Sequence, residues 1–243
     1  MASTSTDRLT LEEGAAGADA AAAAIPDLPI VVLDTIPYRR AWAIQQGLHA
    51  DRVAGKRNDT LLLLEHPPVM TLGRTGGAEF LRGSGPVMHP ALGPIEVVPT
   101  DRGGKITYHG PGQLVGYGIV SLAARRLFPA TYVHALETVL VTALASLGLE
   151  AEAIAGRVGV WTRGRKIASI GVRITEGVSL HGFALNVTND LSPFAWMHPC
   201  GLLDVEMTST RKEGIDASFA EVRARVADAW LATFGASPGE RAP

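Results

Sequence analysis

Three apolar runs in the second half of the chain, VGVWT (158–162), RKIASIGVRI (165–174) and VSLHGFALNV (178–187), are joined through the turn pairs Arg163-Gly164 and Glu176-Gly177. Connections this short cannot carry a crossover, so neighbouring runs must pair antiparallel, as hairpins. The chain is therefore committed to an antiparallel meander, and whatever else it builds must pack around that sheet.

The remaining elements extend this frame. PIVVLDTI (29–36) reads as a strand, followed by a helix with Ala41, Ile44 and Leu48 on one face. TLLLLEHPPVMTLGR (60–74) gives two apolar runs broken by Pro67-Pro68, a pair that cannot continue a central strand. IEVVPT (95–100), KITYH (105–109) and QLVGYGIV (113–120) read as short strands between glycine-bearing segments. Val133, Leu136, Leu140, Leu144 and Leu147 form the stripe of a helix that Gly148 ends. A capping box at Ser218-Phe219-Ala220-Glu221 opens a last helix that buries Phe219, Val222, Val226 and Trp230. Few strands are linked by helices of crossover length, which predicts an α+β fold of mostly antiparallel or mixed sheets packed with helices. One domain is expected over 29–236, with residues 1–28 and 237–243 as flexible tails, because the Ala/Gly-rich start offers too little side-chain surface to order itself.

A formal net charge of −2 provides no global field for nucleic acid, and no apolar stretch is long enough to span a bilayer; neither partner is expected. The single cysteine excludes an internal disulfide and a Cys-rich zinc site. No histidine pair has HxxxH or HExxH spacing, so no metal is expected. The N-terminus carries acids where a secretion signal needs bases, so the expectation is a cytoplasmic monomer.

Two segments carry candidate chemistry. DRGGKITYHGPGQ (101–113) packs glycines, two cations and a histidine into a short span, which suits either a pair of tight turns or a binding loop. GxGxxG and P-loop patterns are absent. MHPCGLL (197–203) places Cys200 between Pro199 and Gly201, which resist regular structure, so the thiol is either a small buried hydrophobe or a nucleophile in a loop of fixed shape. A thiol with pKa near ~8.5 needs a cationic neighbour to ionise at neutral pH. An ammonium at ~4 Å supplies on the order of 4 kcal/mol at an effective dielectric near 20, before desolvation is subtracted. Lysines are few (Lys56, Lys105, Lys166 and Lys212), and Lys166 alone lies within a strand of otherwise apolar and small residues. His109 and His181 are the alternative partners.

Taken in order, LEHPPVMTLGR, RGGKITYHGPGQLVGY, GVWT-RGRKIASIGVRI, HGFALNV and PCGL resemble the octanoyltransferases of lipoate biosynthesis from about residue 30 to 235. The resemblance implies a catalytic domain similar to that of biotin and lipoate protein ligases, and transfer of octanoyl from octanoyl-acyl carrier protein. The acceptors it implies are the lysine amines of lipoyl domains, in 2-oxoacid dehydrogenase E2 subunits and in glycine cleavage H protein. It assigns an acyl thioester to Cys200 and acid/base work to Lys166, with no cofactor and no ATP. Its acyl pocket maps onto Arg102, Gly103, Gly104, Lys105, Ile106, Thr107, Tyr108 and His109, onto Ser169, Ile170 and Gly171, and onto Gly182, Phe183 and Ala184. Leu72 is a further expected lining residue. A cationic rim for an acidic carrier protein is expected from Arg39, Arg40, Arg102, Arg163 and Arg165.

Overall fold

The computed structural model describes residues 28–76, 87–197 and 205–235. The tail expectations for 1–27 and 237–243 lie outside these residues, as does Cys200. In chain order the elements are β1 (Ile30–Thr35), α1 (Tyr38–Val53), β2 (Thr60–Glu65), β3 (Val69–Leu72), β4 (Val87–His89), β5 (Gly93–Pro99), β6 (Ile106–His109), β7 (Gln113–Ile119), α2 (Pro129–Ser146), β8 (Glu152–Ile154), β9 (Arg157–Thr162), β10 (Arg165–Thr175), β11 (Val178–Asn186) and α3 (Phe219–Phe234). A 3-10 turn covers Ser192–Trp196.

Among the described residues the strands form two sheets. The larger has the order β1-β2-β7-β11-β10-β9-β8, and the smaller β4-β5-β3-β6. The meander appears as β9-β10-β11, with Gly171 opposite Gly182 and Ser169 opposite Ala184. Pairing is parallel only where the connection is long enough to return: β1 with β2, across α1, and β3 with β5. Pro67-Pro68 falls between β2 and β3, where the chain leaves the large sheet and enters the small one. The short strands β4 and β8 are not foreshadowed in the sequence, because three residues are too few to show a period.

Unbroken apolar runs mark strands covered on both faces. In β2, Leu61 and Leu63 face a core closed by α2 and α3, while Leu62 and Leu64 face α1. Tyr132, Leu136, Leu140 and Leu144 of α2 pack there with Val222, Val226, Trp230 and Phe234 of α3. Ser218 Oγ accepts the Glu221 N–H and fixes the start of α3. Helix α1 departs from the expected stripe: Ile44 and Leu48 are half-buried, and the buried face is Tyr38, Ala41, Gln45 and His49. Burial of its polar members is possible because Gln45 Oε1 accepts the His181 N–H (2.8 Å) and His49 Nε2 donates to Thr175 O (3.2 Å). Polar residues on that face hide its amphipathic pattern.

Gly116 of β7 underlies the Phe183 ring, and a Cβ added there would lie 2.1 Å from Phe183 Cζ. Replacing Gly116 by alanine is expected to lower stability by about 1–3 kcal/mol through overpacking, read as a reduced urea midpoint. A midpoint equal to that of the unmodified protein would mean the ring moves aside without cost.

Candidate active site

The small sheet meets the large one through loop 101–104, and glycines make the approach possible. Gly103 N–H donates to Val172 O on β10 (2.8 Å), and a Cβ on Gly171 would lie 2.9 Å from Gly103 O. On the other side, a Cβ on Gly73 would lie 2.2 Å from Gly104 O, and Gly104 itself has φ 81°, where side chains are disfavoured. Between β6 and the β10–β11 hairpin this leaves a narrow cleft open to solvent. Arg102, Gly104, Lys105, Ile106, Thr107 and His109 line it from the small sheet and its loop. Ser169, Ile170, Gly171, Gly182, Phe183 and Ala184 line it from the large sheet.

Most of the residues mapped to an acyl pocket thus surround one cleft, with two exceptions. Gly103 is turned onto β10, and Tyr108 is buried on the opposite side of β6, edge-on to the Phe194 ring. Leu72 packs in the core of the small sheet and does not reach the cleft. Arg102 is not a rim residue: it is buried, donating from Nη2 to Thr71 O (2.6 Å) and Oγ1 (2.7 Å). The exposed Arg39 pairs with Glu96, while Arg163 and Arg165 reach Glu213.

Tyr38 and Tyr117 also line the cleft, as does His181. Tyr38 lies outside the quoted motifs, and Tyr117, although it ends one of them, sits in a run that reads as ordinary strand. Behind the cleft the imidazoles are held neutral. His66 Nδ1 donates to Ile36 O (2.7 Å), so its Nε2 accepts the Tyr117 hydroxyl (2.8 Å), and burial pushes its pKa from 6.5 down to about 4. His109 Nδ1 bonds Gln113 Oε1 (2.8 Å), with Thr71 Oγ1 3.4 Å from Nε2; burial, then the nearby His66 and Arg102, hold its pKa well below the usual range. His181 Nε2 donates to Asp101 Oδ1 (2.6 Å), and its Nδ1 accepts from the Tyr38 hydroxyl (3.3 Å). Burial outweighs Asp101 and lowers the His181 pKa. For Asp101, burial acts upward, but the His181 hydrogen bond and Arg173 outweigh it and keep the carboxylate below its ordinary range. Both ring nitrogens of His109 and of His181 thus face polar partners on neighbouring elements.

Lys166 stands beside the cleft, not in its lining, three positions before Ser169 on β10. It is buried, and its Nζ donates to Val158 O (3.0 Å). Gly159, at φ 122°, makes room for it: a Cβ there would lie 2.6 Å from Lys166 Cε and 3.1 Å from Nζ. The backbone of Lys166 is bracketed by Glu206 O and Thr208 N–H, both at 2.9 Å. Among the described residues no group of three or more His, Cys, Asp or Glu side chains is placed to hold a metal, and no helix is long and apolar enough to cross a membrane.

Residues 37–231 match the family described as lipoyl protein ligase A/B catalytic domain. An octanoyltransferase of Geobacter sulfurreducens is 46% identical over 89% of this chain and 87% of its own, and one of Mycobacterium tuberculosis is 48% identical over 87% and 90%. The chain belongs to this family, among its octanoyltransferases. It is accordingly an acyltransferase. The fold is shared with lipoate-protein ligase A bound with ATP (TM-score 0.64, 18% identity, 84% of both chains) and with P. falciparum LipL1 in complex with lipoate (0.69, 10%, 89% of this chain and 65% of the other).

The neutral interior of this octanoyltransferase makes it sensitive to acid. For His66 the folded pKa lies below the unfolded value, so its contribution is complete above pH 6.5 and is lost as pH falls toward 4. Loss of about 3 kcal/mol from this group is expected across that window, seen as a falling urea midpoint, with the His66 ring still neutral by NMR at about pH 5.5. Protonation of His66 near pH 6.5 in the folded protein would contradict the assignment.

Proposed function

We propose that the protein moves an octanoyl group from the phosphopantetheine thioester of octanoyl-acyl carrier protein to the lysine amine of a lipoyl domain, by way of a thioester on Cys200. The acceptors are lipoyl domains of 2-oxoacid dehydrogenase E2 subunits and glycine cleavage H protein. In the first half-reaction the Cys200 thiolate attacks the thioester carbonyl, the carrier C–S bond breaks, and the Lys166 ammonium gives its proton to the departing thiol. In the second, the acceptor amine attacks the acyl carbon, Lys166 takes the amine's proton, and the Cys200 thiolate leaves. One thioester replaces another before the amide forms, so no nucleotide is consumed and no cofactor takes part. The protein acts in the cytoplasm, as a monomer.

The observation that carries this reading is the placement of Lys166. A buried lysine lies on the strand that lines the cleft, three residues before Ser169, and its backbone is hydrogen-bonded to Glu206 and Thr208, a short distance in sequence after Cys200. The cleft residues Ser169, Gly171, Gly182 and Ala184 leave space beside the sheet for an alkyl chain, and Phe183 and Ile170 back it with apolar surface. Cys200, Lys166 and the mapped pocket residues Arg102 to His109 are the groups on which substrate depends.

Incubation with octanoyl-acyl carrier protein is expected to add one octanoyl mass to the intact protein. The adduct should disappear in Cys200→Ser and form at least about a hundredfold more slowly in Lys166→Ala. An unmodified protein, or transfer that requires free octanoate with ATP and magnesium, would overturn the reading. Gly159→Ala, whose added Cβ would lie 2.6 Å from both Lys166 Cε and Ala168 O, is expected to slow acylation about tenfold or more in protein that remains folded by circular dichroism, because it displaces the Lys166 side chain. An unchanged acylation rate in that variant would show that the position of Lys166 does not limit the reaction.

A further inference from the structure

The cleft has a direction. Along the β10–β11 hairpin its lining runs from Ser169 and Ala184, through Gly171 and Gly182, to His181, which pairs with Val172. At that end loop 101–104 lies across β10, with Gly103 N–H on Val172 O and Gly103 O against Gly171. Asp101 fastens the loop there: one carboxylate oxygen accepts from His181 Nε2 and the other pairs with Arg173. Tyr38 completes the wall through its hydroxyl on His181 Nδ1, and Gln45 holds the His181 N–H. His181 adopts φ 61°, a left-handed conformation unfavourable for a non-glycine residue, so the tertiary contacts around it hold the ring in this place. The lined stretch of the hairpin, three strand steps from the Ser169–Ala184 pair to the Val172–His181 pair, spans ~10 Å, and an extended octanoyl chain of seven carbon–carbon bonds spans ~9 Å.

We propose that Asp101, by latching loop 101–104 to His181 and Arg173, holds the closed end of the acyl cleft and so sets the length of chain the enzyme accepts. This rests on the acyl-transfer reading above and adds a specificity-determining, positioning role for Asp101. A chain two or four carbons longer meets hydrogen-bonded polar groups at the latch rather than free space. The role is exerted on the loop, and Asp101 takes no part in the chemistry of the thioester.

Unreactive pantetheine amides carrying eight-, ten- and twelve-carbon acyl groups separate this role from catalysis when their binding is measured by calorimetry. The unmodified protein is expected to bind the eight-carbon amide at least about tenfold more tightly than the twelve-carbon one. In Asp101→Ala the preference should shrink about fivefold or more, and Arg173→Ala, a change at a partly exposed position, should shrink it in the same direction. Asp101→Asn keeps an acceptor for His181 and is expected to retain most of the preference. Unaltered selectivity in folded Asp101→Ala overturns the end stop; should that variant fail to fold, unaltered selectivity in Arg173→Ala does so. Selectivity that relaxes as expected while Cys200 stays unacylated by octanoyl-acyl carrier protein upholds the end stop and overturns the transfer reading instead.

Discussion

The close approach of loop 101–104 to two strands from different sheets is the contact on which the site depends. Gly73, Gly103 and Gly171 allow backbone to meet backbone there, and a single Cβ at Gly73 or Gly171 would force the layers apart. Because the small sheet is pinned at this loop, β6 stands opposite the β10–β11 hairpin and a cleft remains between them. The cleft is thus a consequence of how two sheets are joined, and Gly104, Gly171, Gly182 and Ala184 keep part of its lining small beside Ile106, Ile170 and Phe183. Small and apolar walls suit an unbranched alkyl chain, which offers no polar group to recognise and gains from exclusion of water.

The charges and polar groups are distributed accordingly. Arg102, whose guanidinium is one of the few permanent charges in the interior, is tied to Thr71, and the imidazoles of His66, His109 and His181 are kept neutral by burial and by hydrogen bonds to both ring nitrogens. A buried charge left without partners would be far more costly than a satisfied neutral network. In the proposed reaction proton transfer falls to Lys166, whose side chain occupies a space that Gly159 provides.

Much of this was legible in the residues because the relevant physics is local. The two-residue turns at Arg163-Gly164 and Glu176-Gly177 left one way to pair β9, β10 and β11, and the diproline after β2 marked the point where the chain changes sheets. The glycine-rich 101–113 segment stands out by composition, and Arg102, Gly104 to Thr107 and His109 of it line the cleft. What escaped notice depends on distant contacts. Tyr38 and Tyr117 enter the cleft only because α1 and β7 are packed side by side, and α1 conceals this with a buried face that is half polar. Arg102 looked like a surface cation because nothing near it in sequence shows that Thr71 receives its guanidinium. Gly159 read as a plain strand residue, and its part in seating Lys166 appears only when the side chain crosses from the neighbouring strand.

The pairing of Lys166 with Cys200 is the central claim, and the pH dependence of Cys200 alkylation by iodoacetamide tests it most directly. The account predicts a thiol that reacts with a midpoint at least about one unit below the ordinary cysteine value of ~8.5, and a midpoint that returns toward that value in Lys166→Met. Identical profiles in the two proteins would place the lysine's charge out of reach of the thiol and contradict the account.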